Sequence, residues 1–147
     1  MVKKVAHIGL LVKSLDETAK LYGDLFGAAL DEVKIIAEQG VKVGMLSFAA
    51  GAQLELLEPL PDTKIAAALD KRGEGVQHVC FEVDNIDQEL AYLTEKGAEL
   101  IDKKPRRGVE GLVAFIHPKS AKGVLVELCE KDQKGVTKVC KKGRFES

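Results

Sequence analysis

The chain has 147 residues, with 22 Lys and Arg against 23 Asp and Glu, and 46% of its residues are hydrophobic. This length and composition are typical of one globular unit, or of two small halves packed together, with a core that needs no disulfide bonds. The net charge of −1 provides no overall field that would attract nucleic acid or a membrane surface.

The cysteines indicate a reducing compartment. Cys80, Cys129 and Cys140 are an odd number and include no CxxC pair, which does not suit a disulfide framework. The N-terminal stretch MVKKVAHIGLLV is interrupted by His7 and is too short for a signal peptide. No run approaches the ~20 apolar residues that a membrane span needs. We therefore expect a cytoplasmic protein.

The first elements in chain order are a strand over VAHIGLLV and a helix that starts at Leu15 and ends at Gly27. Three strand-like runs follow, DEVKIIAE, VKVGMLSFA and AQLELLEP, separated by Gln39-Gly40 and by Gly51. The first half therefore reads β-α-β-β-β. The next segment, TKIAAALDKR, has a helical composition and joins the two halves.

The second half repeats the first. A strand over VQHVCFEV leads into a helix from Ile86 to Gly97, and the runs AELI, LVAFIHP and GVLVELCE follow as strands. After Glu130 the chain carries six Lys and Arg against two acids and lacks a sustained period, which predicts a basic, mobile tail. The predicted organisation is one domain over 1–130, with module one at 3–60, a linker helix at 61–73 and module two at 74–130, and a tail at 131–147.

One His and one Glu recur in register in the two halves. His7 and His78 are 71 positions apart, and Glu55 and Glu127 are 72 apart. Each Glu lies between apolar residues near the end of a strand, and burying a carboxylate without a partner costs several kcal/mol. Two His and two carboxylates form a suitable N2O2 set for a first-row divalent metal. Taken singly, each His is more often a core residue and each Glu an edge or salt-bridged acid, but repetition in register favours a shared site.

Several motifs together carry a resemblance to a known family. HIGLLVKSLDE, EQGVKV, ELLEPL, KRGEGVQHVCFEVDNI, HPKS and GVLVELCE resemble the vicinal-oxygen-chelate superfamily and, within it, the methylmalonyl-CoA epimerases. The similarity extends from about Val2 to Glu130. The first motif is common to the superfamily, whereas EQGV, ELLEP, HPKS and GVLVEL in this order are close to specific for the epimerases.

The resemblance implies an α+β fold in which two tandem βαβββ modules form a cup-shaped mixed sheet around a metal, and it implies a homodimer. The metal ligands would be His7, Glu55, His78 and Glu127, with one divalent ion per chain. Cobalt is favoured, and manganese, magnesium, zinc or nickel are possible. Members of the family have Gln or Glu at the position of Glu55, and they usually have His where this chain has Gln77.

The activity implied is interconversion of the (R) and (S) forms of methylmalonyl-CoA by proton abstraction at C2 through a metal-stabilised enolate. Inverting that carbon needs two acid/base groups on opposite faces. The resemblance assigns one role to Glu38 in EQGV, which without it would be interpreted as a solvated turn acid. Glu127 is the candidate for the other role.

The acyl-CoA substrate carries phosphates that need cations. The loop HPKSAKG provides Lys119, Ser120 and Lys122 for this purpose, and an ordinary exposed loop is the alternative. A second basic cluster, Lys103, Lys104, Arg106 and Arg107, is interpreted as a solvated loop.

Other functions of the superfamily remain open. A glyoxalase I-type isomerase (lactoylglutathione lyase) would share the fold, the ligand types and related chemistry. A metal-free binding protein of the superfamily would lack the ligand set that this chain retains. We expect neither nucleic acid nor a membrane as partner.

Overall fold

The computed structural model describes residues 1–133. This part of the chain forms two compact units, one of residues 6–77 and one of residues 1–5 with the described chain from residue 78 onward. The unit boundaries fall within the first strand of each module. The predicted division into one domain and a tail stays a prediction, and residues 134–147 of that tail lie outside the described residues.

The first unit follows the predicted order. Its elements are β1 (Val2–Leu11), α1 (Leu15–Phe26), β2 (Ala29–Ile36), a 3-10 turn (Ala37–Gln39), β3 (Val41–Ser47), β4 (Gln53–Pro59) and α2 (Lys64–Arg72). β3 lies between β2 and β4 and is antiparallel to both. β1 pairs with β4 in parallel, so the first strand of the module lies beside its last.

The second unit repeats this arrangement. Its elements are β5 (Gly75–Val83), α3 (Ile86–Glu95), β6 (Arg106–Arg107), β7 (Gly111–Ile116) and β8 (Val126–Lys131). β7 is antiparallel to β6 and to β8, and β5 pairs with β8 in parallel. Both units therefore have the same strand order, which confirms the predicted pair of βαβββ modules.

Local sequence determines where the helices begin and end. Ser14 and Asn85 have extended backbones, and their side chains accept the N–H of Glu17 at 3.2 Å and of Gln88 at 3.0 Å. Such N-caps satisfy backbone donors that have no partner within the helix. α1 ends at Gly27, whose φ of +73° lies in the left-handed region that favours glycine.

Each of these helices packs against one face of the sheet of its own unit. The core of the first unit consists of Leu10, Val12, Leu15, Ala28, Leu46 and Leu56. The core of the second consists of Val83, Ile86, Leu90, Leu112, Ala114, Ile116, Val126 and Leu128. Side chains alternate along a strand, so the residues between these core positions lie on the opposite face. Each unit carries its His and its Glu on that opposite face.

The opposite face differs between the two units. In the first, Ile65 and Leu69 of α2 pack against Leu11, Val43 and Leu57, so the predicted linker helix also covers a second apolar cluster. In the second, the face carries Glu82, which is 8% exposed.

Two lysines lie close to the carboxylate of Glu82, one from residues 1–5 and one from the end of β8. Lys3 Nζ lies 3.3 Å from Glu82 Oε2, and Lys131 Nζ lies 3.7 Å from Glu82 Oε1. The N–H of Asp84 also donates to the carbonyl of Met1 at 3.4 Å. These contacts explain why residues 1–5 belong to the second unit.

The strand predicted at AELI (98–101) is wrong. Within this run only Leu100 forms a bridge, with Ile116, and the strand that pairs with the outer side of β7 is β6. The Oδ2 atom of Asp102 accepts the N–H of Phe115 at 2.8 Å, and this side chain replaces the carbonyl of a neighbouring strand. Regular pairing is therefore interrupted before β6 begins.

Two other sequence expectations concern cysteines and membrane spans. Cys80 and Cys129 are buried, and Cys140 lies outside the described residues. None of the helices within residues 1–133 combines the length and the apolar character required to cross a membrane.

Candidate functional site

In the first unit, His7 and Glu55 contact each other across two parallel strands. Gly9 of β1 lies opposite Glu55 of β4, so the Glu is one pleat beyond the His on the same face. His7 Nε2 lies 3.4 Å from Glu55 Oε1. His7 is 8% exposed, and the Glu55 side chain is 17% exposed. The unit thus presents one nitrogen and one oxygen donor side by side, largely shielded from solvent.

The second unit contains the same pair. Cys80 of β5 lies opposite Glu127 of β8, and His78 precedes Cys80 by two residues, as His7 precedes Gly9. His78 Nε2 lies 3.0 Å from Glu127 Oε1. Both residues are buried. The His–Glu pair therefore recurs at an equivalent register in each module.

The donor chemistry of these pairs suits a divalent metal. Together they provide a His2Glu2 set, which contains the nitrogen and oxygen donors that bind first-row divalent ions. A carboxylate that is removed from water is stabilised by a nearby positive charge. A divalent cation would provide that charge, and a neutral imidazole would bind the same cation through a ring nitrogen. The residues present therefore fit a metal ligand set.

Two acids that were not predicted from the sequence accept hydrogen bonds from the first residues of α1 and α3. Glu58 Oε1 accepts the N–H of Leu15 at 2.8 Å, and Glu130 Oε1 accepts the N–H of Ile86 at 2.9 Å. Each lies three residues after the Glu of a His–Glu pair, and the two are 72 positions apart. That interval, equal to the one between the paired glutamates, was the signal that could have found them. Their role is to join the last strand of each module to its helix.

Glu38 is exposed on the 3-10 turn between β2 and β3. The turn ends at Gly40, which has a φ of +70° and whose carbonyl accepts the N–H of Leu60 at 2.8 Å. A Cβ on Gly40 would lie 2.9 Å from Thr63 Cγ2. Glu38 thus projects from a tightly held turn, and its carboxylate forms no hydrogen bond or ion pair within residues 1–133.

Internal bonds hold the loop that carries Lys119, Ser120 and Lys122. Ser120 Oγ accepts the N–H of Glu99 at 2.7 Å, and His117 Nδ1 accepts the N–H of Lys119 at 3.0 Å. Lys122 has a φ of +55°, and both lysines are exposed. Ser120 therefore has a structural role in the loop, and binding of the substrate by these three residues stays a prediction.

Two βαβββ modules, each with a His–Glu pair largely shielded from solvent, define a vicinal-oxygen-chelate protein. The model of the Glyoxalase/Bleomycin resistance protein/Dioxygenase superfamily matches residues 6–116. The chain belongs to this family. Family and His2Glu2 set together indicate a divalent metal site.

Within the family, the proteins similar to this chain include methylmalonyl-CoA epimerases. The mitochondrial methylmalonyl-CoA epimerase of Dictyostelium discoideum is 36% identical over 133 residues, which are 88% of this chain and 80% of that protein. The methylmalonyl-CoA epimerase structure from Mycobacterium tuberculosis has a TM-score of 0.84 at 36% identity and covers 90% of this chain and 91% of its own. A methylmalonyl-CoA epimerase in complex with methylmalonyl-CoA and NH4+ has a TM-score of 0.82 at 33% identity, with coverage of 89% and 96%.

Proposed function

We propose that this chain is a methylmalonyl-CoA epimerase that interconverts the (R) and (S) forms of its substrate. The observation that carries the proposal is the His–Glu pair at the same register in both modules. Further support comes from proteins of 33–36% identity that are named methylmalonyl-CoA epimerases, one of them in complex with methylmalonyl-CoA.

A single divalent ion would be held by His7, Glu55, His78 and Glu127. When bound, it would act as a Lewis acid toward the oxygen atoms of the substrate. The support is the donor set itself, with two neutral nitrogen donors and two carboxylates that offset the charge of the ion. Cobalt is favoured, with manganese, magnesium, zinc and nickel as the other candidates.

The reaction requires a proton to leave C2 on one face and another to arrive on the opposite face. The C2–H bond is acidic because the electron pair left on carbon delocalises into the thioester carbonyl. In one direction Glu38 takes the proton, and protonated Glu127 donates a proton to the other face as the electron pair returns to C2. In the reverse direction the two carboxyl groups exchange roles.

The surroundings of the two glutamates suit these different tasks. Glu38 is exposed on its turn and can exchange its proton with water between turnovers. Glu127 is buried, and its Oε1 lies 3.0 Å from His78 Nε2, so the carboxylate lies directly beside another candidate metal ligand. Glu127 would thus combine the role of a ligand with that of an acid/base group.

The CoA moiety is the part of the substrate that carries phosphates. We assign Lys119, Ser120 and Lys122 to its binding, because the two exposed lysines lie on a loop whose backbone is held by Ser120 and His117. Positive charge on a fixed loop attracts phosphate without a large ordering cost.

One assay separates the candidate activities. Enantiopure (S)-methylmalonyl-CoA is incubated in D2O with the metal-loaded protein, and NMR follows appearance of the (R) form and of deuterium at C2. The same preparation is given methylglyoxal and glutathione. We expect epimerisation and no hemithioacetal isomerisation. The reverse result would favour a glyoxalase I-type isomerase, and activity toward neither substrate would favour a binding protein.

Two other properties belong to the proposal. The family resemblance predicts a homodimer, and the odd number of cysteines without a CxxC pair predicts a cytoplasmic location. Sedimentation equilibrium of the full chain tests the first, and fractionation of the cells that make it tests the second.

A further inference from the structure

Arg106 lies on the same sheet face as the His–Glu pair of the second unit. Phe115 of β7 is opposite Glu127 of β8, and Arg106 of β6 is opposite Val113, two residues before Phe115. Side chains of directly opposite residues share a face, and so do residues two apart on one strand. Arg106, Phe115 and Glu127 therefore lie on one face.

Two contacts fix the guanidinium of Arg106. Its Nε and Nη2 atoms donate to Asp102 at 3.0 and 3.3 Å. Its Cζ lies 5.7 Å from the centre of the Phe115 ring, within the range of a cation–π contact. The Phe115 ring in turn meets the ring of His78 edge to face, with centroids 5.9 Å apart. Arg106 is thus separated from the candidate ligand His78 by a single aromatic side chain.

The neighbouring Arg107 shows what a purely structural arginine looks like here. It lies opposite Leu112, on the core side of the sheet, and its Nη2 donates to both oxygens of Asp132 at 2.8 Å. Arg106 is more exposed, at 48% against 33% for the side chain of Arg107. The bonds from Arg106 to Asp102 engage Nε and Nη2, and within residues 1–133 its Nη1 donates no hydrogen bond.

We propose that Arg106 binds an anionic oxygen of the acyl-CoA substrate and positions the substrate on this face. The inference rests on the proposed function. A guanidinium held by a carboxylate and a ring is pre-organised, so little side-chain entropy is lost when it binds an anion. The anion is either the carboxylate of the malonyl unit or a phosphate of CoA, because both match the planar donors of arginine.

The second basic cluster is only partly a solvated loop. From the sequence, the cluster of Lys103, Lys104, Arg106 and Arg107 is expected to form a solvated loop. Arg106 is held by Asp102 and Arg107 by Asp132, and the two arginines lie on opposite faces of the sheet. Of these two arginines, Arg106 is the one that shares a face with His78 and Glu127.

Binding to the metal-loaded full chain tests the proposal. Isothermal titration compares the wild type, Arg106→Gln and the control Arg107→Gln with three ligands: methylmalonyl-CoA, propionyl-CoA, which lacks the carboxylate, and methylmalonyl-pantetheine, which lacks the phosphates. We expect Arg106→Gln to weaken methylmalonyl-CoA binding about 10–100-fold, the worth of a charge-assisted hydrogen bond. Arg106→Lys keeps the positive charge and loses the planar pair of guanidinium donors, so it should bind methylmalonyl-CoA more tightly than Arg106→Gln and more weakly than the wild type.

The other two ligands identify the anion. If Arg106 binds the carboxylate, the variant binds methylmalonyl-pantetheine weakly and propionyl-CoA like the wild type. If Arg106 binds a phosphate, the variant binds propionyl-CoA weakly and methylmalonyl-pantetheine like the wild type. Equal binding of all three ligands by Arg106→Gln and wild type, or an equal loss in Arg107→Gln, would overturn the inference. Because the wild type is assayed for epimerisation in parallel, an inactive wild type shows instead that the proposed function has failed.

Discussion

Glu130 on β8 accepts the backbone N–H of Ile86, the first residue of α3, at 2.9 Å across 44 positions of sequence. Glu130 is 6% exposed, and Glu127, three residues earlier on the same strand, faces the other side of the sheet. A carboxylate at a helix N-terminus is favoured by the helix dipole and by the unsatisfied N–H groups there. The bond therefore fixes β8, and with it Glu127, relative to the helix.

We expect Glu130→Gln to destabilise the fold and to leave metal binding intact. Loss of the charge at the helix start should lower the free energy of unfolding by about 1 kcal/mol. Such a change shifts the melting temperature by roughly 2–4 °C in a chain of this size, as thermal denaturation would show.

Glu58→Gln is the matched variant, since Glu58 accepts the N–H of Leu15 in the first module. It should shift the melting temperature similarly. Loss of metal from Glu130→Gln, but not from Glu58→Gln, would show that Glu130 contributes to the metal site rather than to the helix start.

A second prediction concerns the number of metal ions. If His7, Glu55, His78 and Glu127 hold one ion, the chelated protein should take up one Co2+ per chain in a titration followed by absorption spectroscopy. His7→Ala and His78→Ala should each weaken that binding by more than the ~10–100-fold typical of losing an outer-shell partner. His117→Ala serves as the control, because His117 instead caps the loop at Lys119. Two ions per chain, with each variant losing only one, would mean that the two His–Glu pairs act separately.

A third prediction separates chemistry from binding at Glu38. Glu38→Gln retains the size of the side chain and removes the base, so epimerisation should fall ~10²–10⁴-fold, the usual contribution of a positioned acid/base group. Metal content and substrate affinity should be nearly unchanged. Exchange of the C2 proton with D2O should persist for the epimer that Glu127 serves and fail for the other. Full activity would show that Glu38 is only a solvated turn acid.

A fourth prediction tests the turn that carries Glu38. Gly40→Ala requires a left-handed conformation, which costs roughly 1–2 kcal/mol for a residue with a Cβ. It also places that Cβ 2.9 Å from Thr63 Cγ2, so the turn must shift. We expect lower kcat together with a lower melting temperature.

Gly51→Ala provides the comparison for Gly40→Ala. Its φ of +90° carries a similar backbone cost, and no atom lies within 4 Å of the added Cβ. The melting temperature should fall while kcat is retained. Equal kcat in the two variants would argue against a role for the Gly40 turn in placing Glu38.

Local sequence determined the elements of each module. The helix bounds follow from residues next to each other in the chain, such as Ser14 before Leu15 and Gly27 after Phe26. The strands other than β6 follow from runs of apolar residues, and the repeat of about 71 residues predicted that His7 and His78 have equivalent positions. These features were predictable because each depends on side chains within a few residues of one another, or on the comparison of two such segments.

Only the tertiary structure decided which polar residues serve the candidate site and which serve the fold. Glu127 and Glu130 are equally placed near the end of one strand, yet one contacts His78 and the other holds the start of α3. Likewise, the side chain of Asp102 accepts the backbone N–H of Phe115 in β7, and the edge strand forms further along the chain, at Arg106–Arg107. In that register Arg106 lies on the same face as His78. The physical reason is that these contacts join distant segments, so the strand register, rather than the local pattern, determines the face and the partner of each side chain.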